Sequence, residues 1–131
     1  MTLERRALAA VLAEVEGAGA RWEVIRLDLE GVRGKAELIA RCGVALRVPG
    51  WVGGNWDALA DALRDLGWLP EVGRVLVVSS WGGFAVGWPR EWGTFVEVLE
   101  EAVEFWRGEL RVVLAEPGSL PGGPRLKRRR G

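Results

Sequence analysis

Apolar residues recur at helical spacing in four stretches of the chain and form strand-like runs in three others. Leu3, Ala7, Leu8, Val11, Leu12 and Val15 predict a helix over Thr2–Gly17, capped by Thr2 and stopped by Gly17 and Gly19. Trp22–Leu29 alternates, with Glu23, Ile25, Leu27 and Leu29 on one parity, and predicts a strand. Lys35–Leu46 predicts a second helix with Leu38, Ile39, Cys42 and Leu46 inward. Gly43 inside it costs about 1 kcal/mol relative to Ala. Trp56–Leu66 is a third helix, ended by Gly67. Arg74–Ser80 contains the uninterrupted run Val75-Leu76-Val77-Val78, the pattern of a strand buried on both faces. Trp81–Pro89, rich in Gly and Trp, reads as a loop. Phe95, Val98, Leu99, Ala102, Val103 and Trp106 predict a last helix over Glu91–Trp106, and Glu109–Ala115 a last strand. Strands separated by helices imply a parallel sheet with right-handed crossovers. From Pro117 the sequence Pro-Gly-Ser-Leu-Pro-Gly-Gly-Pro leads into a basic cluster, which reads as a disordered tail.

The third helix is the most informative. A glycine-bearing turn (Gly50, Gly53, Gly54) delivers the chain to Asn55, a favoured N-cap. Leu59, Ala62, Leu63 and Leu66 make an apolar stripe; Asp57, Asp61 and Asp65, four apart, make an acidic one. Like charges so placed cost an isolated helix roughly 0.2–0.5 kcal/mol per pair. Only Asp57 lies in the first turn, where the helix dipole favours a carboxylate, so Asp61 needs another explanation.

Composition narrows the possibilities. The 131 residues suit one domain with one hydrophobic core, and 49% of them are hydrophobic. The formal net charge is zero but uneven: all 18 acidic residues stand at or before Glu116, whereas Arg125, Lys127, Arg128, Arg129 and Arg130 follow it. The body is therefore acidic and the tail basic. The single cysteine, Cys42, excludes an intrachain disulfide and suits a reducing cytoplasm. Met1–Ala13 has no signal-peptide pattern, and no apolar run is long enough for a membrane helix. The sequence has no histidine, which removes Ser–His–Asp and Cys–His catalysis and the commonest metal ligand. Eight tryptophans beside no tyrosine point to core fillers or interface anchors.

No glycine motif for phosphate binding is present. Ser79 and Ser80 end a strand but have no base to activate them, and Cys42, on an apolar stripe, reads as a small buried hydrophobe. The acidic stripe taken alone reads as a solvated face. Trp51, Val52 and Trp56 beside it shift the balance, because aromatics rimmed by acids describe a protein interface.

The stretch Leu46–Leu63, with Pro49, Trp51, Gly53, Asn55, Asp57-Ala58-Leu59, Asp61 and Leu63, resembles the barstar family, intracellular inhibitors of secreted ribonucleases of the barnase kind. The likeness covers roughly residues 22–115. It implies an α/β fold with a three-stranded parallel sheet packed with helices, to which an extra N-terminal helix is added. The division implied is an N-terminal helical extension over 1–20, a barstar-like domain over 21–116 and a disordered basic tail over 117–131. It further implies no catalysis and no cofactor or metal, a cytoplasmic location, and a basic ribonuclease or other basic protein as partner. Carried over residue by residue, the partner-binding set is Trp51, Val52, Gly53, Asn55, Asp57, Asp61 and Glu101, with Asp61 taking the place of a phosphate. Carboxylates on a rigid helix can form charge-assisted bonds with the Arg and Lys that hold phosphate. Complementary charge also speeds encounter, to roughly 10⁸–10⁹ M⁻¹s⁻¹ at low salt. Ala60, and Gly50 and Gly54, depart from the family's larger or acidic residues. The alternative is an interaction module on the same scaffold with a non-ribonuclease partner, its basic tail contacting nucleic acid.

Overall fold

The computed structural model describes residues 3–17, 22–51 and 54–116. Its elements are β1 (Glu4–Arg6), α1 (Leu8–Gly17), β2 (Trp22–Asp28), α2 (Gly34–Ala45), α3 (Trp56–Asp65), β3 (Gly73–Ser79), α4 (Gly82–Gly87), α5 (Pro89–Trp106) and β4 (Leu110–Ala115). The strands form one parallel sheet in the order β1-β4-β3-β2. From β1 to β2 the chain crosses the whole sheet; from β2 through β3 to β4 it winds back. Right-handed crossovers in opposite directions put their helices on opposite faces. Accordingly α1 covers one face, while α2, α3 and α5 cover the other.

The core divides along the same line. Val11 and Val15 of α1 meet Val75, Val77, Val113 and Ala115. Leu38, Ile39, Leu59, Leu63, Phe95 and Leu99 meet Ile25, Leu27, Leu76, Val78, Val112 and Leu114. Successive residues of β3 thus serve two cores, which is why Val75–Val78 is apolar throughout. Cys42 lies in the larger core, and burial pushes its thiol up to about 12.

Three expectations change. The sheet has four strands rather than three, because Glu4–Arg6 forms a strand where a helix over Thr2–Gly17 was expected; the helix starts only at Leu8. A three-residue strand shows no period of its own, and its partner β4 lies more than a hundred residues away. Trp81–Pro89 is not a loop, since Gly82–Gly87 is helical. Side-chain stacking overrides the weak propensity of its glycines: Phe84 stacks on Trp88 at 5.5 Å and Trp81 on Trp92 at 5.4 Å. Finally, α3 turns at Leu66 rather than at Gly67. Leu66 itself adopts φ 51°, and its side chain is fully buried. The expected tail over 117–131 lies outside the described residues.

Charge ties the N-terminal segment down. Arg111 of β4 donates to Glu4 twice, from Nε to Oε2 at 2.9 Å and from Nη2 to Oε1 at 2.8 Å. Glu14 of α1 accepts from Arg111 at 2.9 Å and from Arg6 at 2.7 Å. The bonds from Arg111 hold Glu4 below the usual glutamate range, and those from Arg111 and Arg6 do the same for Glu14. Acids depressed on folding contribute stability that is present above the unfolded value of about 4.3 and lost as pH falls through the folded values. Arg111→Ala is therefore expected to destabilise the chain near neutral pH, by a margin that shrinks towards about pH 3. Urea denaturation of both proteins across that range checks this; a margin independent of pH would refute it.

Candidate functional site

Both ends of α3 are closed by specific hydrogen bonds. At the start, the Asn55 side-chain oxygen accepts from the Ala58 N–H at 2.8 Å, the cap expected of Asn. At the end, the last carbonyls of a helix have no partner within it. Here the Trp106 indole N–H donates to the Leu63 carbonyl at 2.6 Å, and Arg74 Nη2 donates to those of Leu66 and Pro70 at 3.3 and 2.7 Å. Arg74 is itself buried, with its guanidinium 5.6 Å from the Trp106 ring centre. Leu59, Ala62 and Leu63 hold the inner face in the core.

That bracing fixes what the outer face presents. Asp57, Asp61, Arg64 and Asp65 are exposed. Asp61 is 75% exposed and accepts from Arg64 Nη2 at 2.7 Å. The stripe is therefore not purely acidic, because Arg64 offsets part of the expected repulsion, by roughly the 0.2–0.5 kcal/mol of a helical ion pair. Asp65 turns away to accept from the Gly67 N–H at 3.2 Å. Beside α3 runs α5, in the same direction: Trp56 meets Phe95 with ring centres 6.5 Å apart, and Leu63 meets Trp106. Glu101 is exposed on α5. Glu97 and Glu104 share its exposed stripe; their spacing of four and three from Glu101 was a signal that the sequence reading left unused. The α3–α5 pair thus offers Asp57, Asp61, Glu97, Glu101 and Glu104 to solvent.

Trp51 is placed differently. Its ring is half-buried against the larger core, and its indole N–H donates to the Ile39 carbonyl of α2 at 3.2 Å. Val52 and Gly53 lie outside the described residues. The structure therefore brings Asn55, Asp57 and Asp61 together on one helix, places Glu101 on its neighbour, and turns Trp51 onto α2.

The clefts lie elsewhere. One of about 560 Å³ opens at the carboxyl ends of the strands, lined by Leu29, Val32, Ser79, Ser80, Phe84 and Glu116 among others. Another of about 660 Å³ opens at the opposite end, beside Trp22, Asp65, Arg74 and Trp106. Asp57, Asp61 and Glu101 line neither. Asp28, beside Ser79 and Ser80, is held below the usual range by the Glu30 N–H and the Ser80 hydroxyl. Among the described residues no group of three or more Cys, Asp or Glu is placed to hold a metal ion, and no helix is long and apolar enough to cross a membrane. These carboxylates thus stand on open helix faces, outside both clefts.

Residues 22–116, from β2 to just past β4, match the model of the family described as Barstar (barnase inhibitor). The chain belongs to the barstar family. No curated protein matches it. The family is one of inhibitors. In this barstar-family chain the matched span contains α2, α3 and α5, whereas β1 and α1 precede it.

The Asn55 cap gives a direct check on the bracing of α3. Asn55→Ala is expected to lower stability by about 1 kcal/mol, read as a lower urea midpoint at unchanged slope. An unchanged midpoint would mean that the cap contributes nothing.

Proposed function

We propose that the chain inhibits a basic ribonuclease by laying the exposed face of α3 over its active site, with Asp61 in the position of a substrate phosphate. The observation that carries this reading is the Asp61 carboxylate itself: exposed on a helix braced at both ends, in a chain of the barstar family. A carboxylate whose position is set before binding loses little freedom on meeting Arg or Lys, and charge-assisted bonds to such groups are among the stronger ones. Arg64 holds Asp61 in the free chain, so binding exchanges an internal guanidinium for the partner's. Asp57 supplies a second acid from the first turn of the same face. Glu101, with Glu97 and Glu104, extends the negative field and steers the partner in. Asn55 acts through the cap. Trp51, Val52 and Gly53, which precede the helix in sequence, complete the proposed set. In this reading the inhibitory unit is residues 21–116, residues 1–20 are an extension and 117–131 a basic tail; the chain works in the cytoplasm and needs no cofactor.

A different basic protein on the same face is the second reading. It is favoured by Trp51, whose indole N–H is committed to Ile39 rather than to a partner.

Inhibition of RNA cleavage by a panel of basic ribonucleases, barnase included, tests the proposal. The wild-type chain should inhibit at least one of them at a stoichiometric ratio. Asp61→Ala should weaken that inhibition by about 2–5 kcal/mol, as truncating one member of a buried charge pair generally does. Its melting temperature should stay near the wild-type value. Equal inhibition by Asp61→Ala would sink the role given to Asp61.

A further inference from the structure

Gly43 lies in the interior of α2, where glycine costs about 1 kcal/mol relative to alanine. The structure supplies a reason for it. A Cβ built on Gly43 would lie 2.0 Å from Cδ1, 2.1 Å from Nε1 and 2.3 Å from Cγ of Trp51. Contacts that short are impossible, so the indole rests directly on the helix backbone. It reaches the Ile39 carbonyl, one turn back along α2, because no side chain stands between. Gly43 also holds the chain that leaves the helix: its carbonyl accepts from the Val48 N–H at 3.0 Å, where Arg47 takes a left-handed turn at φ 56°. The chain from Val48 to Trp51 is thus fastened to one glycine at both ends.

We propose that Gly43 and Trp51 form a seat that sets the course of the chain as it leaves α2, making Trp51 a positioning residue for the acidic face rather than a contact made with the partner. The consequence for binding rests on the inhibitory reading above. The seat fixes the chain at Trp51 and the cap fixes it at Asn55, only four positions on. Together they determine how the first turn of α3, with Asp57, stands relative to α2. Any side chain at position 43 would expel the indole and release the chain at Trp51. A bulkier residue there would strengthen an isolated helix yet weaken the function.

Three variants of the full chain test this: Gly43→Ala, Trp51→Ala and the double substitution. In the free protein, hydrogen exchange of the Ala58 and Leu59 amides, which donate to Asn55, is expected to quicken about tenfold in both single variants, while the β3 amides exchange as in wild type. Binding to an inhibited ribonuclease should weaken about tenfold in each, and the double variant should be no worse than Trp51→Ala alone. If Trp51 is simply a contact, Trp51→Ala will weaken binding with unchanged exchange at Ala58 and Leu59, which overturns the proposal. Additive losses in the double variant overturn it too. Should Gly43→Ala not fold, the exchange of Trp51→Ala decides alone. Because exchange is measured without a partner, the seat stands or falls separately from ribonuclease inhibition.

Discussion

The acidic face depends on hydrogen bonds that close a ten-residue helix at both ends. Helices of that length are marginal in water, and α3 also carries three carboxylates on its outer side. Burial of Leu59, Ala62 and Leu63 holds it against the core, but burial alone leaves the end groups unpaired. Asn55 satisfies a donor at the start; Trp106 and Arg74 satisfy carbonyls at the end. The outward carboxylates therefore stand on a fixed platform, as the proposed mimicry of a bound phosphate requires.

Tryptophan supplies much of this fixing. Four indole N–H groups donate to backbone carbonyls: Trp51 to Ile39, Trp68 to Leu46, Trp81 to Ala115 and Trp106 to Leu63. Each joins positions at least twelve residues apart, covering apolar surface with the ring while pairing a polar group at its edge. Half of the eight tryptophans of a chain without tyrosine are thus used as internal braces. On the far side of the sheet the fixing is ionic, with Arg111 joining β4 to both Glu4 and Glu14.

What the residues reveal on their own follows the range of the forces involved. The cap at Asn55, the stripe of Leu59 and Leu63, and the run Val75–Val78 are local patterns, and each was legible. So was the family, because its motif is contiguous from Pro49 to Leu63. β1 was not, since Glu4–Arg6 becomes a strand only by pairing with Val113–Ala115. Nor was α4, whose glycines signal a loop until Phe84 and Trp88 stack. The common stripe of Asp57 and Asp61 on α3 was legible too, but not the grip of Arg64 on Asp61. Gly43 looked like a flaw in a helix; only the position of Trp51 in space gives it a use.

The central claim is that α3 occupies the phosphate-binding site of a basic ribonuclease. A nuclear magnetic resonance titration of the isotope-labelled chain with such an enzyme, followed by addition of a mononucleotide that fills its active site, addresses this most directly. The account predicts shifts centred on Asn55–Asp65 and Glu97–Glu104 that revert as the nucleotide is added. Shifts centred on another surface, or a complex indifferent to the nucleotide, would contradict it.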